Sequence, residues 1–474
     1  MVCAAWVLPG VARAQSQPPK QTWTLQEARA RAVSHNLDLV LQRLTRARQA
    51  LEGDVARRPF VPVVSVSAGV DDDPGFEDGP RARSARWGAG LRWQTLGGTQ
   101  LDLDAFGAQR LNPQPGLMTS DAAVSLSLTQ PLLRGFGEDS QTVRAQDLER
   151  ERGRAQFVSE LNDVLFEVEQ AYWDVSLAQQ DVQIKKRSLE RARAQYEQTK
   201  ENIKRGLLAE AEIFIVEDNL VLFQQNLLQS TQASALASLR LGRVLRLGPQ
   251  ARPVATQSPQ VSQQAPPSAA QALSTGVKAH PDLVAARVSV RQRGVEVGFA
   301  SNQLKPRLDL LGQVNTLGSE GAFGQAWRQA LSLGGVGYGV GVLFEIPLTR
   351  APDYARVERA QLAQRAERAR LARLKQGVEL QINESLVRLE NSRARLALAT
   401  KRVGLTQSKL ETEQQKYARG RSSLDNIVRF QRDVDAARLG QQRLMAQVSV
   451  LEAQLARAMG TLYVRAGVRV GGAP

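Results

Sequence analysis

Residues 161–206 read LNDVLFEVEQAYWDVSLAQQDVQIKKRSLERARAQYEQTKENIKRG, and an apolar residue returns at every seventh position. Leu161, Val168, Val175, Val182, Leu189, Tyr196 and Ile203 form that ladder, which stops three residues before Gly206. A sustained seven-residue repeat makes helices pack side by side and supercoil. A second ladder of Ile382, Leu389, Leu396, Val403, Leu410 and Tyr417 stops three residues before Gly420. From about Asp139 to Arg205 the first stretch would span roughly 100 Å at about 1.5 Å per residue. Compact globular domains do not use helices of that length. The pattern predicts long antiparallel coiled-coil helices that turn at Gly206 and Gly420, where a glycine carries no Cβ penalty at positive φ.

The two ladders belong to a wider internal repeat. At an offset of 244 residues, Ala28 matches Ala272, Asp38-Leu39-Val40 matches Asp282-Leu283-Val284, and Pro62 matches Pro306. Later the offset falls to 216, pairing Pro131-Leu132 with Pro347-Leu348, so the first half holds 28 extra residues between Pro62 and Pro131. Each half opens with a helix, Thr24 to about Arg58 or Ala269 to about Leu304, with Thr24 or Ser268 as N-cap. The domain order expected is a first repeat over 15–247, a Pro/Gln/Ser-rich linker over 248–268, a second repeat over 269–464 and a disordered tail over 465–474.

Strand-like segments follow the prolines. Val336, Tyr338, Val340, Val342, Phe344 and Ile346 alternate with Gly337, Gly339, Gly341, Leu343 and Glu345. Val124, Leu126 and Leu128 alternate with Ser125, Ser127 and Thr129, and Val64, Val66, Ala68 and Val70 with Ser65, Ser67 and Gly69. A soluble sandwich normally turns charged or long polar residues outward. Here the second face is mostly Gly, Ser and Thr, which suits a polar lumen behind a lipid-facing band. Trp87, Trp93, Phe323, Trp327 and Tyr338 are expected near strand ends, as interfacial girdles require. The extra residues carry a Leu96-Gly97-Gly98-Thr99 turn that predicts an added hairpin, either in the barrel wall or outside it.

Composition removes other classes. Mean hydropathy is −0.30, and beyond the first residues no apolar run approaches the roughly 20 needed for a transmembrane helix. Cys3 is the single cysteine and His35 and His280 are the only histidines, so disulfides, metal centres and cofactors are not expected. Lys plus Arg is 62 against 47 Asp plus Glu, a net charge of +15. The two signs are interleaved, however, which predicts solvated helix faces and no nucleic-acid partner. No phosphate loop, G-x-S-x-G elbow or metal-ligand cluster is present, so the chain is not expected to be an enzyme. Residues 1–14 read as a signal peptide ending in Ala12-Arg13-Ala14, although a basic n-region is missing. Cys3 is too near the start for lipoprotein processing.

Assembly follows from strand edges. Two main strands per half give four, too few to close a barrel, and open edges cannot face lipid. Several copies must share one barrel, and three would give twelve strands, or more with the added hairpin. The fold class expected is mainly α with a β-barrel part, internally duplicated. The alternative is a soluble or periplasmic coiled-coil scaffold.

Over nearly the whole mature chain the sequence resembles the TolC-type outer-membrane efflux proteins. The resemblance rests on Thr24-Leu25-Gln26-Glu27-Ala28 with Asn36, and on Gln130-Pro131-Leu132-Leu133-Arg134-Gly135-Phe136-Gly137. It rests also on the paired turns Gly206-Leu207-Leu208-Ala209-Glu210-Ala211-Glu212 and Tyr417-Ala418-Arg419-Gly420-Arg421-Ser422-Ser423. The resemblance implies a homotrimeric duct with a β-barrel in the outer membrane of a Gram-negative bacterium and a periplasmic α-barrel. Such ducts serve tripartite efflux or type I secretion, docking on a periplasmic adaptor linked to an inner-membrane pump. By the same likeness Gly206, Leu207, Gly420, Arg421 and Ser422 would form the adaptor-docking tips. Glu212, Asp425, Asn426 and Arg429 would line the entrance. Members often carry Asp where this chain has Asn426, and the best-known ones also where it has Arg429. The Arg that ties their tip closed is here Ser422. A neutral to basic constriction that favours anionic or neutral solutes is the resulting expectation, unless Arg429 only pairs with Asp425 or Asp433.

Overall fold

The structure is a computed structural model, and it describes residues 22–73, 82–110, 120–262, 265–332 and 335–469. The expected signal peptide therefore lies outside the described residues. The chain divides into two compact units, and each takes segments from both halves of the sequence.

One unit draws on residues up to Gln42, on Gln156–Leu283, and on the chain from Leu374 onward. The first ladder lies in α3 (Glu138–Lys204), which spans 67 residues, and the second in α8 (Ala351–Ala418), which spans 68. Each is followed by a shorter helix, α4 (Glu212–Val244) after the first and α9 (Leu424–Ala458) after the second. Leu161, Val168, Val175, Ile382 and Leu389 are at most 1% exposed. Burying such a side chain fully is worth about 1.5–3 kcal/mol, so these five ladder positions anchor the helix packing, while Val182, Tyr196, Ile203, Leu396, Val403, Leu410 and Tyr417 are half-buried. Tyr172 sits in the same core and donates its hydroxyl to the Trp23 carbonyl at 3.0 Å. That contact fastens β1 (Thr22–Trp23), which pairs in parallel with β6 (Val254–Ala255). Part of the segment expected as a linker is thus strapped to the core.

The opening helices differ from expectation. Each is two helices: α1 (Leu25–His35) and α2 (Leu37–Ala56), then α5 (Ala269–Ala279) and α6 (Pro281–Gln303). Thr24 and Ser268 do cap them, each in a reciprocal capping box with Glu27 or Gln271, worth about 1 kcal/mol apiece. The first break falls at Asn36, whose Oδ1 accepts from the Asp38 and Leu39 amides and so restarts the helix. The second falls at His280, because the proline after it disfavours helical backbone and then sits well at the first helical position. At the far end, α10 (Leu462–Arg465) is followed by Ala466 and Val468, which pack against the core. The described chain thus continues past residue 465 to 469. Residues 470–474 lie outside the described residues.

The other unit comprises Arg43–Ala155 and Val284–Arg373. Its centre is a six-stranded sheet of β2 (Val63–Asp73), β3 (Ala82–Gln94), β4 (Gln100–Arg110), β5 (Ser120–Pro131), β7 (Arg307–Glu320) and β8 (Val336–Glu345). The strands pair in that order and every pair is antiparallel. The added hairpin is β3–β4, and it lies inside the sheet between β2 and β5. Gly98, at φ +89°, makes its turn. One element was not foreseen, the helix α7 (Phe323–Leu331) between β7 and β8. Phe323 and Trp327 belong to it and not to strand ends, because Phe323, Ala326, Trp327 and Ala330 share one helical face.

Candidate functional site

Two places carry the features expected of a duct, the sheet faces in one unit and the helix turns in the other. In the sheet, residues paired across strands point the same way, so the register assigns the faces. Val66 faces Ala89, which faces Ala105, then Val124, Thr316 and Val336. The same face holds Val64, Trp93, Leu101, Leu103, Leu126, Leu128, Val314, Tyr338, Val340, Val342 and Phe344. Much of it is open: Val66 is 81%, Tyr338 85% and Val340 80% exposed. The opposite face holds Ser65, Ser67, Gly88, Gly90, Asp102, Asp104, Ser125, Ser127, Gln313, Asn315, Gly337 and Gly339, interrupted by Phe106, Leu311, Leu317 and Leu343. Arg92 pairs there with Asp102 at 2.6 Å. Each strand of the six-stranded sheet has 10 to 14 residues, about the length that crosses a bilayer at a tilt near 45°.

In the helical unit, both turns close in the same way. Gly206 has φ +71° and Gly420 +68°. The Gly206 amide donates to the Ile203 carbonyl and the Leu207 amide to the Asn202 carbonyl, both at 2.9 Å. Gly420 and Arg421 repeat this with Tyr417 and Lys416, again at 2.9 Å. This is a Schellman closure, in which a left-handed residue lets the last carbonyls find partners.

Of the residues expected at the tips, Gly206, Leu207, Gly420 and Arg421 are exposed and Ser422 is half-buried. Leu207 is 69% exposed, and Phe214, which sequence reasoning missed, is 70% exposed nearby in α4. Glu212 opens α4, in the first turn, where the helix dipole favours an acid. At the second turn Ser423 caps α9 by accepting from the Asn426 amide at 3.4 Å. Ser422 donates to Glu413 at 2.5 Å, and Lys416 reaches the same carboxylate at 3.3 Å. The Ser422 hydrogen bond, then Lys416 and the nearby Arg429, hold the Glu413 carboxyl below its ordinary range. Glu413 has no signal in the sequence, since a helix-to-turn contact appears only once the turn is built.

Arg429 does not pair with Asp425 or Asp433 among the described residues. Its guanidinium lies 5.2 Å from the Phe430 ring centroid, a cation–π contact of about 0.5–1 kcal/mol at an exposed site. Nor does any hydrogen bond or ion pair among the described residues join Glu212 to Asp425, Asn426 or Arg429. A further link joins α9 to α3: Asp435 takes Arg191 at 2.8 and 2.9 Å and the Ser188 hydroxyl. Among the described residues no group of three His, Cys, Asp or Glu side chains could hold a metal. No described helix is long and apolar enough to cross a membrane.

Comparison with family models and with curated protein sequences gives no match. Comparison with solved structures does. The Campylobacter jejuni CmeC outer membrane channel aligns over 92% of this chain and 86% of its own at 16% identity, with a TM-score of 0.64. The outer membrane protein VceC of Vibrio cholerae aligns over 92% and 96% at 14% identity, TM-score 0.63. The open state of the Neisseria gonorrhoeae MtrE outer membrane channel aligns over 92% and 89% at 16% identity, TM-score 0.64. The chain has the fold of these outer-membrane channels along almost its entire length.

Proposed function

We propose that this chain is the protomer of an outer-membrane exit duct, internally duplicated, exported by its N-terminal signal and assembled as a homotrimer. The observation that carries the reading is the two-faced sheet. Six strands of bilayer-crossing length present a row of exposed Val, Leu, Tyr and Phe on one side and a face of mostly Gly, Ser, Asp, Asn and Gln on the other. A soluble or periplasmic scaffold gains nothing from such a surface, whereas lipid requires it. Among the described residues the outer strands β2 and β8 have unpaired edges, and joining them between copies removes the edge.

Three six-stranded sheets supply eighteen strands in place of the twelve that four-stranded protomers would give. At a spacing of about 4.8 Å and a tilt of about 40°, the wall radius is then about 18 Å against about 12 Å. The helical hairpins form the periplasmic part of the duct, with Gly206, Leu207, Gly420, Arg421 and Ser422 at the tips that meet an adaptor and, through it, an inner-membrane pump. Glu212, Asp425, Asn426 and Arg429 border the entrance. The duct itself catalyses nothing, and the pump supplies energy and most of the substrate choice.

Expressed with its first residues intact in a Gram-negative host, the chain is expected in the outer-membrane fraction as a trimer that survives cold detergent electrophoresis. Recovery as a soluble periplasmic protein would replace this reading with the scaffold.

A further inference from the structure

The helix α7 packs on a definite face of the sheet. Ala326 and Ala330 bury against Ala122, and Trp87 meets Phe323 edge to face at 4.5 Å. Ala122 pairs with Gly107, and Gly107 with Trp87, so these residues share the face that also holds Val66, Leu126 and Val340. This is the exposed apolar face, not the Gly/Ser face. Two glycines make the seat. A Cβ at Gly318 would overlap the Ala326 carbonyl, and one at Gly107 would lie 3.0 Å from the Trp87 indole nitrogen and 3.1 Å from Phe323. The Ser319 amide donates to the Gln329 side chain at 3.0 Å and pins the helix in place.

From this we infer that α7 is an interfacial helix of the outer leaflet, lying against the outside of the barrel wall with its free side in the headgroup layer. The inference rests on the outer-membrane duct reading, since it takes the apolar face as the lipid face. Position along the strands agrees: α7 lies where β7 ends and β5 begins, remote from the ends where β5 and β8 lead into α3 and α8. The free side is that of an interfacial helix, with Leu331 64% exposed and Arg328 exposed, its guanidinium donating to the Gly324 carbonyl of its own helix. Such helices bury apolar side chains in the headgroup–acyl boundary and offer cations to lipid phosphates. The aromatic cluster beside it suits the same depth. Helix α7 therefore lies outward on the wall, an anchor and not a plug of the pore mouth.

The test uses the full-length trimer in vesicles of zwitterionic and anionic phospholipid, with Cys3 replaced by serine. A small fluorophore is attached in Leu331→Cys and, separately, in Val340→Cys as the reference on β8. Quenchers are a nitroxide near the headgroup end of the acyl chain, a nitroxide near its terminal methyl, and aqueous iodide. The Leu331 probe should be quenched about threefold more by the shallow nitroxide than by iodide or the deep nitroxide. Adding Gly318→Val, which removes the seat, should hand that probe to iodide while the Val340 probe stays lipid-quenched. Iodide quenching at Leu331 in the parent, with lipid quenching at Val340, would overturn the interfacial helix alone. Shielding of Leu331 from all three quenchers would overturn it too, in favour of a covering protein surface. Lipid quenching at neither position would remove the barrel reading itself.

Discussion

Val340 and Gly339 are neighbours in β8, yet the account gives them opposite surroundings. Val340 lies on the apolar face with 80% of its surface open, so Val340→Lys removes almost no packing within the chain. Its cost comes from lipid: a lysine on the lipid face near mid-membrane costs about 2–4 kcal/mol, falling to about 0–1 near the interfaces. Val340 stands midway along the Val336–Glu345 strand, so the upper range applies, and a trimer carries the penalty in each copy. Gly339 faces the other way, and a Cβ there meets nothing within 4 Å. Gly339→Lys should therefore stay within about 0.5 kcal/mol, as an unremarkable surface change does. The assay is a urea titration of trimers folded into phospholipid vesicles, followed by tryptophan fluorescence. Val340→Lys should shift the midpoint strongly downward while Gly339→Lys leaves it in place. Equal shifts for the two, or a harmless Val340→Lys, would refute the assignment of faces.

Other expectations concern the helical unit. Burial, helped by Arg457, lowers the His280 pKa against the opposing pull of Asp282 and Asp163, so the folded chain resists protonation of this imidazole. An unfolded imidazole titrates near 6.5, and below that pH the unfolded state binds a proton the folded state resists, so stability falls as pH drops through about 6.5. His280→Asn, which copies the residue at the Asn36 break, should flatten that part of the melting temperature against pH. Asp435 is 8% exposed in its side chain and holds Arg191, itself 39% exposed. Replacing it by alanine should cost about 2 kcal/mol, below the range for fully buried pairs, and raise hydrogen exchange where α9 meets α3. At the entrance, planar-bilayer reversal potentials should show little cation preference, and Arg429→Asp should create one. Strong cation selectivity in the parent that Arg429→Asp leaves unchanged would sink the neutral-to-basic constriction.

The elements that repeat were readable, because a period is a local property. Leu161 to Ile203 recur every seven residues and Val336 to Ile346 alternate, and the structure puts the first set along α3 and the second, up to Phe344, along β8. Glycine three residues past each ladder was readable for a similar reason, since its conformation is nearly unique to that residue. The breaks at Asn36 and His280 were passed over, although Pro281 after His280 was a usable sign. Helix α7 was missed because Phe323 and Trp327 have two meanings, aromatic girdle or apolar face of a short helix. Only Gly318 and Gly107 beneath them decide, and those lie in other strands. The links of Ser422 to Glu413 and of Asp435 to Arg191 were illegible, since each needs a turn or a helix pairing already in place. Insertion of β3–β4 into the sheet was likewise beyond the sequence, as a hairpin inside the wall and one outside it share the same alternation.

The most direct test is the mass of the full-length protein extracted from membranes in mild detergent, measured by light scattering with the detergent contribution subtracted. The account predicts a particle of three chains, each of 51.9 kDa before any processing. A monomer or dimer, or protein recovered without detergent, would contradict the shared barrel on which everything else rests.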